Sequence, residues 1–249
     1  TDTPAKDAIN TFVKGLDTAG LWSSIACWPL LSTQNASGVT KYSLGGLTGN
    51  ATLNGSTSTV VTTGLKLTSA DYLTTSITPA NLTKITLGVV VAPLNNGTND
   101  TTSPTKSSAN KYIQAFNATT ATGVYLDGSY ASDPAGATSG AFRYNASGGG
   151  NSLAFLGVQT YNTPAMFSAS QDYLYANSTI SAITGSASTN YTQPVGIGLA
   201  TITVGTTTYA THAGVYSFAF YINRVLTNTE YTTLYALVKA LLSANVTLP

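Results

Sequence analysis

The stretch Val215-Tyr-Ser-Phe-Ala-Phe-Tyr-Ile-Asn-Arg-Val-Leu-Thr-Asn-Thr-Glu-Tyr-Thr-Thr-Leu-Tyr-Ala-Leu-Val-Lys-Ala-Leu-Leu242 decides the fold, because its hydrophobic period changes partway along. Val215 to Ile222 is almost unbroken β-branched and aromatic sequence, which suits a strand buried on both faces, and Asn223-Arg224 end it. Thr227-Asn-Thr-Glu230 then reads as a capping box. The Thr227 hydroxyl is placed to accept from the third amide of a helix, and the Glu230 carboxylate to reach back to the amide of Thr227. Tyr231, Leu234, Tyr235, Val238, Leu241 and Leu242 follow at helical spacing and form one apolar stripe that must be covered.

Working outward, the chain reads as many short strands with helices only at its ends. At the start, Ile9, Phe12, Val13 and Leu16 share a helix face after Thr3-Pro4, and a short turn carries Leu21, Trp22 and Ile25 inward before Pro29. Strands are expected around Tyr42–Leu44, Thr59–Thr62 and Leu65–Leu73, the last interrupted by a turn. Thr83–Ala92 is the most apolar strand and should be central. Further strands are expected at Lys111–Phe116, Gly123–Leu126, Ala141–Tyr144, Ser152–Gln159, Met166–Ser170, Asp172–Tyr175 and Val195–Ile202, with a surface loop at Asn95–Pro104. This rhythm predicts an all-β double-sheet jelly roll, one domain over 1–249, with a helical segment in 1–29 and a helix in 227–249.

Two strings carry a family resemblance. Ile222-Asn-Arg-Val-Leu-Thr-Asn-Thr-Glu-Tyr-Thr-Thr-Leu-Tyr235 resembles the closing strand and helix of concanavalin A-like (laminin G-like) jelly rolls. Those show an Arg, a Leu, a Thr or Ser cap, a Glu three residues later and then Leu-Tyr. Ala8-Ile-Asn-Thr-Phe-Val-Lys-Gly-Leu16 with Gly20-Leu-Trp-Ser-Ser-Ile25 is similar to the opening of bacteriophage virion proteins that carry such a domain. The resemblance implies a concanavalin A-like β-sandwich with short terminal helices, and a place on the surface of a virion. It carries no functional residue across.

Composition narrows the function classes. Charged residues make up 8% of the 249 residues and the formal net charge is +1, so Thr, Ser, Asn, Gly and Tyr must build the surface. Nucleic-acid binding is not expected, because the ten Lys and Arg are scattered singly from Lys6 to Lys239. A membrane span is not expected either, since Ile85–Leu94, the most apolar run, is about half the length a bilayer crossing needs. Cys27 is the only cysteine, which excludes an internal disulfide and points to a small buried hydrophobe. The sequence opens Thr1-Asp-Thr-Pro4 with no initiator Met and no signal-peptide pattern, so a processed or internal start is expected.

Candidate chemistry is sparse. Glycoside hydrolysis on two carboxylates needs a pair flanking one bond, and none of the nine acidic residues pairs with another two or four residues away on a strand. The only Glu is assigned to a helix cap, and His212 stands without a Gly-x-Ser-x-Gly elbow. No catalytic residue, metal set or cofactor is expected, and the chain reads as a non-enzyme. The one candidate ligand loop is Asp127-Gly-Ser-Tyr-Ala-Ser-Asp133, where Asp127 and Asp133 could wrap calcium and Tyr125 and Tyr130 could stack on a sugar. Its competing reading is an ordinary Asp-Gly surface turn.

The functional expectation is a virion structural protein, a decoration or attachment module on a phage head or tail. Its expected partners are other virion subunits, copies of itself in a homo-oligomer, and a surface glycan. The alternative is a secreted or cell-surface carbohydrate-binding lectin of bacterial or archaeal origin. That reading draws on eleven Asn-x-Ser/Thr sequons, at Asn35, Asn50, Asn54, Asn81, Asn96, Asn99, Asn117, Asn145, Asn177, Asn190 and Asn245.

Overall fold

Gly214–Ile222 forms the strand that the closing stretch predicts, and Tyr216 and Phe218 to Ile222 along it are all buried. In a computed structural model of the chain it lies at the centre of the larger of two antiparallel sheets. The structure describes residues 3–31, 38–68, 71–79, 84–94, 111–117, 122–127, 162–182, 191–198, 203–204, 207–208 and 213–249. The expected elements at Asn95–Pro104, Ala141–Tyr144 and Ser152–Gln159, and His212, lie outside them.

Among the described residues, the strands in chain order are β1 Ile25–Pro29, β2 Thr40–Lys41, β3 Ala51–Asn54, β4 Thr59–Val61, β5 Gly64–Leu67, β6 Tyr72–Thr75, β7 Thr86–Pro93, β8 Lys111–Asn117, β9 Thr122–Asp127, β10 Ala165–Ser170, β11 Tyr173–Ala176, β12 Thr179–Ala182, β13 Gly196–Ile197, β14 Thr203–Val204, β15 Thr207–Thr208 and β16 Gly214–Ile222. Helix α1 spans Thr3–Thr18 and helix α2 spans Asn228–Leu242. The larger sheet has the order β12-β11-β10-β7-β16-β5-β4, with β1 also paired to β16. The smaller runs β2-β3-β6-β13-β8-β9, and β14 and β15 form a separate ribbon.

Strand periodicity sorts the side chains of β16 into two cores. Tyr216, Ala219 and Tyr221 join Leu87, Val89 and Val91 of β7 and Ile113, Ala115, Val124 and Leu126 of the smaller sheet in the core between the sheets. Phe218, Phe220 and Ile222 face the other way, against Phe12 and Leu16 of α1 and Tyr231, Leu234 and Val238 of α2. The switch of parity between Tyr216 and Phe218 is a β-bulge at Ser217.

That bulge divides one edge of β16 between two partners. β5 pairs with Gly214–Tyr216 and β1 with Phe218–Ile222. Ser217 holds the junction: its hydroxyl donates to Thr63 O at 2.6 Å, and its carbonyl accepts from Leu30 N at 3.0 Å. Gly64 is required here. Its φ is +153°, and a Cβ would stand 2.3 Å from Tyr216 O.

The terminal helices pack together on the outer face of the larger sheet, as their apolar stripes demand. Gly15 of α1 lies under Leu237 of α2, where a Cβ would come within 2.3 Å of the Leu237 Cδ2 atom. The capping box of α2 is complete. Glu230 N donates to Thr227 Oγ1 at 3.3 Å and Thr227 N to Glu230 Oε2 at 2.8 Å, while Arg224 grips the carboxylate with bonds of 2.7 and 2.9 Å.

Two expectations are corrected in detail and a third is extended. Residues 25–29, read as the end of a helical segment, form β1, with only Trp22–Ser24 as a 3-10 turn. Tyr42–Leu44 is not a strand: β2 ends at Lys41, and Leu44 makes a single bridge to Cys27. The turn expected within Leu65–Leu73 separates two strands of different sheets. The first part of the stretch is β5 of the larger sheet and its end begins β6 of the smaller one, so the chain crosses the sandwich at Thr68–Asp71.

Candidate functional site

The two outer faces of the sandwich differ in what is left for a ligand. On the larger sheet the helices seal the face with aromatic packing: the Tyr175 and Tyr231 rings stack at 4.0 Å, and Tyr175 and Tyr231 donate to Leu226 O and Asn177 O. Asn177, at φ +51°, is itself tied to Met166 through its amide oxygen at 2.9 Å. This face is structural.

On the smaller sheet, register aligns one polar row across all six strands. Thr40 pairs with Thr52, Thr52 with Thr74, Thr74 with Gly196, Gly196 with Gln114, and Gln114 with Tyr125. Directly paired residues share a face. The flanking residues Leu73, Ile113, Ala115, Val195 and Ile197 lie in the core between the sheets, so the row takes the opposite, outer face. Asn54 confirms the shared face by donating from Nδ2 to Thr74 Oγ1 at 3.2 Å.

Burial deepens along this row. Thr52 is exposed, Thr74 is half-buried, and Gly196 and Gln114 are buried. Gln114, 3% exposed, leaves Nε2 without a hydrogen-bond partner; Ser168 Oγ, on the larger sheet, is the other such buried side-chain atom among the described residues.

Of the four residues expected to bind a ligand, two fall on the edge strand of this sheet. Tyr125 and Asp127 lie on β9, with Tyr125 paired to Gln114 and Asp127 to Lys111 on the neighbouring strand. Tyr130 and Asp133 lie outside the described residues. Among the described residues there is no group of three or more His, Cys, Asp or Glu able to hold a metal, and no helix long and apolar enough to cross a membrane.

The carboxylate that does most in the described structure is one that sequence reasoning passed over. Asp71 is fully buried at the crossing between the sheets. It accepts from Thr57 N at 3.0 Å and Thr57 Oγ1 at 2.7 Å, and from Thr68 N at 3.0 Å and Thr68 Oγ1 at 2.8 Å. Burial alone would raise its pKa, but these four bonds outweigh it and hold the carboxyl below its ordinary value. The Thr68-Ser-Ala-Asp71 spacing was the available signal, a turn closed by an Asp side chain. Cys27 is the buried hydrophobe expected: it is fully buried on β1, burial pushes its thiol up, and Sγ lies 3.4 Å from Leu44 O.

No protein-family model matches the chain, and no curated protein matches it in sequence. Solved structures do match in fold. A Trypanosoma rangeli sialidase mutant displaying trans-sialidase activity superposes with a TM-score of 0.59 at 13% identity, covering 95% of this chain and 39% of its own. The same organism's sialidase in complex with 2,3-difluorosialic acid, a covalent intermediate, gives 0.56 at 13% identity over 92% of this chain and 38% of its own. The binding domain of botulinum neurotoxin serotype D gives 0.53 at 11% identity, over 86% of this chain and 50% of its own. The chain thus spans about two fifths of the sialidases and half of the neurotoxin domain. At these identities the likeness is one of fold, and it agrees with the all-β sandwich.

The likeness also corrects the expectation that the chain is a non-enzyme, because the first two of these structures are enzymes. The earlier reasoning counted carboxylate pairs. Sialidases work with a tyrosine nucleophile and stand outside that rule. With 15 Tyr in the chain, scarcity of Asp and Glu does not exclude glycoside chemistry.

Proposed function

We propose that the chain is a carbohydrate-recognition module of a virion, carried as a decoration or attachment module on a phage head or tail. The observation that carries the carbohydrate part is the fold, shared with a sialidase bound to a sialic acid derivative and with a neurotoxin binding domain. Composition supports it: a surface of Thr, Ser, Asn and Tyr with 8% charged residues suits a hydroxylated ligand and neighbouring subunits. The virion part rests on Ala8–Leu16 and Gly20–Ile25, which are similar to the opening of phage virion proteins.

Binding to an array of defined oligosaccharides tests the first part. Saturable binding to at least one supports it, and none across neutral and acidic glycans overturns it. Peptide mass mapping of purified particles tests the second. Self-association goes with this reading, and sedimentation of the purified chain measures it. With few charges to screen, an oligomer should keep its mass from low to high salt.

The eleven sequons favour a second reading, a cellular surface lectin. An intact mass raised by Asn-linked glycans on the native protein would select it. The sialidase likeness favours a third, glycoside hydrolysis, which fluorophore release from an aryl sialoside measures directly.

A further inference from the structure

We infer that β4 is an open sheet edge that pairs with β4 of a second copy of this chain, antiparallel and about a two-fold axis at Val60. The inference rests on the self-association that goes with the proposed function, and adds its place and partner strand. β4 ends the larger sheet, and β5 is the only described strand paired with it. Thr59-Val60-Val61 lacks the devices that usually guard such an edge, since it holds no charge, no proline and no bulge. Thr59 and Val60 are both exposed.

Register shows which backbone groups this edge offers. Val61 pairs with Gly64 across the two-residue turn Thr62-Thr63, and the pair closing such a hairpin is hydrogen-bonded. Alternation then turns the N–H and C=O of Thr59 toward β5 and those of Val60 away from it, to the open side. Thr57 keeps the same phase: its N–H donates to Asp71 Oδ1 at 3.0 Å, while Thr68 N on the β5 side donates to Asp71 Oδ2 at 3.0 Å. That carboxylate clamps the base of the hairpin, so the edge is ordered before a partner arrives.

The side chains suit a second copy. Val60 pairs with Leu65 of the core between the sheets and so shares its face, yet it stays 40% exposed. About a two-fold axis at Val60, each Val60 N–H meets the Val60 carbonyl of the other copy, and the two valines meet over the open ends of both cores. Thr59 then stands opposite Val61 of the second copy. Lys66, the nearest charge along the pairing rows, lies behind Thr59, so the two lysines occupy different rows and do not oppose each other. The other large hydrophobics left exposed, Val39 and Tyr42, flank β2 at the edge of the smaller sheet. Only residues 55–58 separate its neighbour β3 from β4, so one end of the sandwich carries all three. By contrast, β12 at the far edge packs Ile180 against the helix-covered core. A seam this short makes a weak contact, which shows at high protein concentration.

The test is sedimentation of the full chain from about 10 µM to about 1 mM, with Val60→Pro and Val60→Lys as variants. Val60→Pro removes the outward N–H, and with it both seam bonds, while sparing the ladder to β5. Val60→Lys keeps the backbone and sets two like charges opposite each other. The parent mass should rise toward a dimer with concentration, and each variant should weaken association about tenfold or more at an unchanged melting temperature. Hydrogen exchange on the parent gives a readout that needs no variant: the Val60 amide should be protected at high concentration and exchange freely when dilute. An oligomer equally stable in both variants, with no concentration-dependent protection at Val60, overturns this edge and leaves self-association standing. Protection at Val60 that appears only when another particle protein is added assigns the edge to that partner and overturns self-pairing. A parent monomeric over the whole range overturns the edge and self-association together, while glycan-array binding tests the carbohydrate reading independently.

Discussion

Asp71→Asn is a sensitive test of how this sandwich is held together, because Asp71 sits where the chain leaves one sheet for the other. The carboxylate receives one backbone N–H on each oxygen: Thr57 N on Oδ1 and Thr68 N on Oδ2. An asparagine can offer only one oxygen. Whichever way its amide is turned, an NH2 meets a backbone N–H, leaving a donor unsatisfied at about 1–3 kcal/mol. The two hydroxyls can rotate to become acceptors, but they lose charge-assisted bonds and keep neutral ones of about half the strength. The sum is about 3 kcal/mol, or about 6–12 °C in Tm for a chain of this size. Urea unfolding followed by circular dichroism at pH 7 measures it.

The pH dependence carries a sign. The pKa of Asp71 is depressed in the folded state, so its contribution is full above the unfolded value of about 3.9 and is lost as pH falls through the folded one. The gap between wild type and variant should therefore close in acid. A variant within about 1 kcal/mol of wild type at neutral pH, with unchanged m-value, would refute the reasoning.

Three further outcomes follow from named contacts. Glu230→Ala removes the capping box and the Arg224 pair, and should cost about 1–2 kcal/mol, the partly exposed ion pair being screened by water. The Arg224 bond, against opposing burial, and the Thr227 bonds bring the Glu230 pKa down to about 2, so this contribution should fade between about pH 4.3 and 2 in denaturation curves of the wild type only. Gly88→Ala drives a Cβ to 2.2 Å from the Phe220 ring and 3.0 Å from Phe167 O, and should destabilise by about 2–3 kcal/mol; equal Tm values would count against the packing described. Cys27 should resist a thiol reagent in the native protein and titrate as one thiol per chain in denaturant, and rapid native labelling would contradict its burial.

Much of the architecture is local and therefore legible in the sequence. Thr227 and Glu230 cap α2 because their bonds span three residues, and β7 and β16 follow from their nearly continuous apolar runs. The terminal helices had to be covered because each shows an apolar stripe, and both meet the outer face of the larger sheet. Other features depend on contacts far apart in sequence. Nothing local distinguishes Ile25–Pro29 from the end of a helical turn; it becomes β1 because β16 leaves that edge free beyond the Ser217 bulge. Leu65–Leu73 alternates like one strand, and only the four bonds to Asp71 turn it from one sheet into the other. The polar row from Thr40 to Gln114 is the same case. Its members come from five strands and 157 positions of chain, from Thr40 to Gly196, each unremarkable alone, and only the register of antiparallel pairing sets them side by side with an unpartnered amide among them.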